Sequence, residues 1–586
     1  MRAGMRYTRP TVMRLGIAVV VAACVGCNPT AAPPPGDGAA SGSGGASSGA
    51  AGTGATSGSS GNGQGGASGT SGASGAPGAG GNVPPPPPAA GVRVLTECTD
   101  PNLIGPTLVR RLSRTEYYAS VRDLFSMQVS QGDVPSDELF GGTFTANVLI
   151  PLTADNFLRY DSMARTVSEG VATNLMSLSG CAATDAACVE GFLTQKARLA
   201  FHGVLEMADQ ERLLTLYRSL TAEDPALALK TAVRWIVTSP RFLFVIDFGA
   251  ADGASARLSG GEIAGRLASF LWRSVPDAAL LAAADAGELA TPAGLRAQAE
   301  RMLADPKADD VLRLFAEEWL GLIPPLPSAP ALDIAIGREP ADVFSAAARG
   351  TGTFSELLSS RQSRGGAELA QFYGGTAAAD GSITLPDTRE GLLLRASFLR
   401  THASGTRASP VKRGEQIRRA LLCDPVNPPS EPVNMQVSQD PNVSDNDAFG
   451  AHAKEECVGC HSQMDPIGVG FASYRADGTF DAAAVAQTAG LIAEGVLTPI
   501  VDTPFQNTAE LIDILATNEI TRQCFTLQMN RFALSRGETM ADACGLRDVW
   551  TAFDASGGNL RTLLVEVAAS SLMSRRNLVV PGGACR

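Results

Sequence analysis

Leu112-Ser113-Arg114-Thr115-Glu116-Tyr117 opens a helix, and its recurrence further along sets the fold class. Ser113 and Glu116 occupy the two positions of a capping box. The hydroxyl accepts from the amide three residues on, and the carboxylate accepts from the N-cap amide. Leu112 and Tyr117 flank the box as a hydrophobic staple. Tyr117, Val121, Leu124 and Phe125 then recur at helical spacing. The device returns at Leu258-Ser259-Gly260-Gly261-Glu262-Ile263, and Leu267, Phe270 and Leu271 carry its stripe towards Pro276. Thr291-Pro292 sets an N-cap before a proline at the first helical position, with Leu295, Ala299 and Met302 behind it. Helical patterns also cover 209–220, 226–238, 309–322, 410–422, 508–517, 521–535 and 559–573, while strand-like alternation is scarce. An all-α body of several helical subdomains is expected.

Before the body the composition changes. From Asn28 to Gly91 the chain is almost wholly Gly, Ser, Ala, Thr and Pro, and it ends in the run Pro84 to Pro88. So few large apolar side chains cannot offset the entropy of ordering, which predicts a disordered tether over 25–92. Ahead of it, Arg2, Arg6, Arg9 and Arg14 precede the apolar run Leu15 to Ala23. That layout is a secretory signal peptide, and the run is too short to span a bilayer. Val21-Ala22-Ala23-Cys24 has the small-residue-then-cysteine form of a lipoprotein cleavage site, with Cys27 the second choice and an unlipidated cleavage the alternative. The expectation is a lipoprotein-type leader at 1–24 cleaved before Cys24, export, and a lipid anchor in the cell envelope.

Cys457-Val458-Gly459-Cys460-His461 carries the chemistry. C-x-x-C-H is the attachment signature of a c-type haem: two thiols reach the two vinyl groups and the adjacent imidazole takes the iron. The same residues also admit a simple disulfide, or a zinc site completed by His452. The haem reading implies one covalent haem c on Cys457 and Cys460 with His461 on the iron. Met464 and His452 are poorly placed to cross a haem, so the remote candidates for the second axial position are His402, Met435, Met529 and Met540, with His402 first. Arg413 is a candidate partner for a propionate, or a solvated helix-face residue. Asp465-Pro466-Ile467-Gly468 reads as a turn.

The chain has eleven cysteines, which suits an oxidising compartment. Cys181 and Cys188 close a short loop and are the leading disulfide pair, and Cys524 with Cys544 is a pair by proximity. A net charge of −12 with no basic stripe argues against nucleic acid. There is no nucleophile elbow, H-E-x-x-H, P-loop or dinucleotide fingerprint.

Read in order, Arg110 to Leu124, Ala197 to Tyr217, Glu262 to Leu281, Ser409 to Cys423 with Cys457 to Tyr474, and Cys524 to Leu564 resemble successive modules of a large exported bacterial family, the planctomycete-type cytochrome proteins. His202-Gly203-Val204-Leu205 departs from the family's usual basic stretch and Pro-Leu in the second module. The resemblance implies an exported location and a modular body: N-terminal helical modules at 93–255, a central module at 256–386, a haem-motif module at 387–500 and a C-terminal module at 501–586. Three functions fit. They are electron transfer with a redox partner protein at a membrane, a cell-surface scaffold or polysaccharide-binding lipoprotein, and a haem-dependent oxidase or peroxidase.

Overall fold

Helices α1 (Arg114–Phe125), α2 (Ala154–Ser179), α3 (Ala186–Ala200), α4 (Met207–Thr221) and α5 (Pro225–Thr238) enclose a core around Tyr117, Tyr160, Leu193, Tyr217 and Ile236. The computed structural model describes residues 92–578 except 108, 131–133, 138–142, 147–151, 427–436, 441–447, 449–456, 485–494 and 497–503. The leader, the tether, Cys24, Cys27, Met435 and His452 therefore lie outside the described residues.

A second, larger core is built by α6 (Gly260–Trp272), α7 (Lys307–Trp319), α8 (Ala331–Arg349), α9 (Pro410–Ile417), α10 (Val458–Val469), α11 (Glu519–Leu534), α12 (Ala543–Ala555) and α13 (Leu560–Ala569). Phe315 of α7 is its hub, with the rings of Phe144, Trp319, Phe344, Phe525 and Phe532 around it. The central, C-x-x-C-H and C-terminal segments thus share one core. A small third core gathers Ile336, Leu369, Tyr373 and Ile383. The fold is all-α, with strands of two or three residues as fasteners. One such fastener is the sheet in which Arg575–Asn577 pairs antiparallel with Ser255–Arg257.

The capping boxes start their helices as the sequence predicts. Ser113 Oγ accepts from the Glu116 amide, and the Ser113 amide donates to Glu116 at 2.9 Å. The Ser259–Glu262 box is formed likewise. Glu116 goes further than a cap. It receives two bonds from Arg110, both at 2.7 Å, and one from Ser269 at 2.5 Å. Arg273 stands 3.7 Å away and stacks on Phe532 of α11. This buried knot joins α1, α6 and α11.

Among the described residues three disulfides are present: Cys181–Cys188, Cys98–Cys544 and Cys423–Cys524. The expected Cys524–Cys544 pair is corrected. Cys524 on α11 meets Cys423, just beyond α9, and Cys544 at the start of α12 meets Cys98. Among the described residues no helix is long and apolar enough to cross a membrane.

Candidate cofactor-attachment site

Cys457 caps α10, and Cys460 and His461 follow in its first turn. The Cys460 and His461 amides donate to the Cys457 carbonyl at 3.2 and 3.0 Å. Spacings of three and four residues put the two thiols and the imidazole on one stripe of the helix. Cys457 and Cys460 are unpaired, whereas the other six described cysteines are in disulfides.

The stripe continues to Asp465, whose Oδ2 accepts from Nδ1 of His461 at 2.9 Å. A carboxylate only accepts, so Nδ1 is the donor in this bond. The turn expected over Asp465–Gly468 is corrected, because these residues continue α10 with Pro466 inside it. Proline costs a helix interior about 3 kcal/mol. Packing against α9 holds the helix together. Gly414 faces the Met464 carbonyl and Gly468 faces the Pro410 carbonyl, each so closely that a Cβ would collide.

Arg413 is also corrected. It is buried, and its guanidinium donates to the carbonyls of Phe471 (2.9 Å), Tyr474 (2.8 Å), Leu399 (3.2 Å) and Arg475 (3.2 Å). It clamps the chain after α10 rather than a propionate or a solvent-facing helix surface. The helix expected over 410–422 finishes as a π-helical turn, Arg418–Leu422. From that turn Arg418 donates to Gln463 Oε1 at 3.0 Å.

His402 ends the short helix Ala396–Thr401. Its Nε2 lies 2.9 Å from the Leu320 carbonyl and its ring packs on Phe398. Burial pushes its pKa down to about 4, so the ring is neutral at physiological pH. Met529 is buried in the large core, Met464 is buried on α10, and Met540 is exposed. His202 is half-buried, with Nε2 3.2 Å from the Phe242 carbonyl. Among the described residues no three His, Cys, Asp or Glu side chains form a ready metal cluster. Asp465 is the site residue that sequence reading missed. Its signal was available as a carboxylate four residues after a histidine.

Four family models match the chain in succession. Each is described as a protein of unknown function: DUF1587 at 110–173, DUF1592 at 258–374, DUF1588 at 389–484 and DUF1585 at 502–573. The DUF1588 model carries the short name PSCyt3, and its match contains Cys457, Cys460, His461 and Asp465. No curated protein and no solved structure matches the chain. With these modules in this order, the chain is a multi-module protein of the DUF1587, DUF1592, DUF1588 and DUF1585 type.

Proposed function

We propose that the chain is an exported, lipid-tethered c-type haem protein that passes electrons to or from a partner near a membrane. The observation that carries this reading is the cysteine division: every described cysteine outside C-x-x-C-H is disulfide-bonded, while Cys457 and Cys460 stay as thiols one helical turn apart. In the oxidising compartment that the disulfides suit, such thiols are available for thioether bonds. The donor set fits: two thiols and an imidazole on one stripe, with Nδ1 of the imidazole turned to Asp465 so that Nε2 is the nitrogen that would ligate. A haem there supplies a one-electron iron couple.

Cys457 and Cys460 would hold the ring and the His461 imidazole would take the iron. His402 is the proposed second residue that would hold the iron. Its Nε2 is engaged by Leu320, so Nδ1 is the atom that would ligate. Cys24, or Cys27 in its place, carries the lipid.

The test is the absorption spectrum of the protein made in a host that attaches haem c. A low-spin spectrum is expected, turned high-spin and open to carbon monoxide by His402→Ala. An unchanged low-spin spectrum in His402→Ala moves the axial ligand elsewhere. A high-spin unsubstituted protein that reacts rapidly with peroxide replaces electron transfer with oxidase or peroxidase chemistry. A haem-free protein leaves the scaffold reading.

A further inference from the structure

His461 and Asp465 stand one turn apart on α10, joined at 2.9 Å, with side chains 16% and 28% exposed. Water therefore screens the pair only in part. The carboxylate is not on a loose loop. The two residues that press on α9, Met464 and Gly468, bracket it on the same helix. Arg418 fixes Gln463 on one side of it, and Arg413 clamps Phe471 and Tyr474 beyond the other. Pro466 follows Asp465 directly, and the packed helix absorbs its cost. This segment is held rigid around a charge that touches the imidazole.

We propose that Asp465 is a positioning residue that lowers the reduction potential of the site through His461, an inference that rests on the haem reading above. A carboxylate accepting from Nδ1 raises the electron density at Nε2, where a neutral carbonyl would do so less. A stronger donor nitrogen favours ferric over ferrous iron, so the charge of Asp465 shifts the couple towards oxidation. Because Asp465 shares a rigid helix with both attachment cysteines, the effect is built into the attachment segment.

The experiment is a redox titration of the haem-loaded full chain and its variants. Asp465→Asn keeps an acceptor oxygen of the same reach and removes the charge. The expected result is at least a tenfold shift of the equilibrium towards ferrous iron, about 59 mV for one electron. Asp465→Glu, which keeps the charge on the same helical face, stays close to the unsubstituted potential. A haem-loaded Asp465→Asn protein with an unchanged potential overturns the inference and leaves the haem reading standing. An unsubstituted protein that takes up no haem overturns the reading itself. Where Asp465→Asn fails to accumulate with haem, the His402→Ala protein, whose iron is open to carbon monoxide, decides. After photolysis of its ferrous carbon monoxide adduct, the iron–histidine stretching frequency should lie above that of a haem bound to plain imidazole. Equality with plain imidazole overturns the inference.

Discussion

Glu116 is buried and Glu318 half-buried, and their surroundings move the two carboxyl pKa values in opposite directions. Burial pushes Glu116 up, but the charges and hydrogen bonds of Arg110, with Arg273 and Ser269, outweigh it and hold the carboxyl well below the usual range. Glu318 receives Thr145 on Oε1, while Oε2 is buried without a hydrogen-bond partner among the described residues. Burial raises its pKa to about 7, against the smaller pull of Thr145 and Arg273. The two groups bend stability with pH in opposite senses. A depressed carboxylate adds stability above its unfolded pKa and loses it as pH falls through the folded one. A raised one subtracts stability, because the unfolded chain ionises first. Glu318→Gln should therefore gain stability relative to the parent as pH rises from about 4 to about 7, then hold level, by on the order of 1–3 kcal/mol. Denaturant unfolding at pH 4, 6 and 8 measures this, and a pH-independent difference would count against it. The sequence made Glu116 legible as a cap, because Ser113 is three residues away. Its partner Ser269 is 153 residues distant and left no local trace. Asp465 was hidden differently, since Asp-Pro reads as a turn until packing shows the helix running through it.

At the scale of elements, helix starts were legible where a side chain caps them, as at Ser113, Ser259 and Thr291. Elements that depend on a neighbour were not. Helix α8 has Pro340 at its centre, and α10 has Pro466. Both run on because tertiary contacts exceed a local penalty, which pattern reading cannot weigh. The α9–α10 crossing is the contact that presents the candidate site. On an exposed helix, Gly→Ala stabilises by about 1 kcal/mol. At Gly414 a methyl meets the Met464 carbonyl, so Gly414→Ala should instead destabilise by about 1–3 kcal/mol, the range for overpacking. Thermal unfolding reads the sign directly. A raised Tm would mean that the two helices do not touch there.

Over the whole molecule, four of the five modules read from motif order are matched in the same order by family models, the segment Ala197 to Tyr217 lying outside them, and the helical class was plain from periodicity. Disulfide pairing was not, because Cys98 and Cys544 are brought together across 446 residues by the fold alone. The three disulfides are compatible with export. The lipid anchor is tested at the mature N-terminus. Mass spectrometry should find an acylated Cys24, an acylated Cys27 would move the site, and an unmodified Cys24 still joined to Ala23 would refute the anchor.

The central claim is that Cys457 and Cys460 exist to hold a haem, and intact-mass measurement after acid–acetone extraction tests it most directly. Thioether-bound haem survives that treatment, whereas non-covalent haem is washed out. The account predicts the polypeptide mass plus one haem, lost in Cys457→Ser with Cys460→Ser. A protein made with active haem-attachment machinery that shows only the bare polypeptide mass, or carries stoichiometric zinc before extraction, would contradict it.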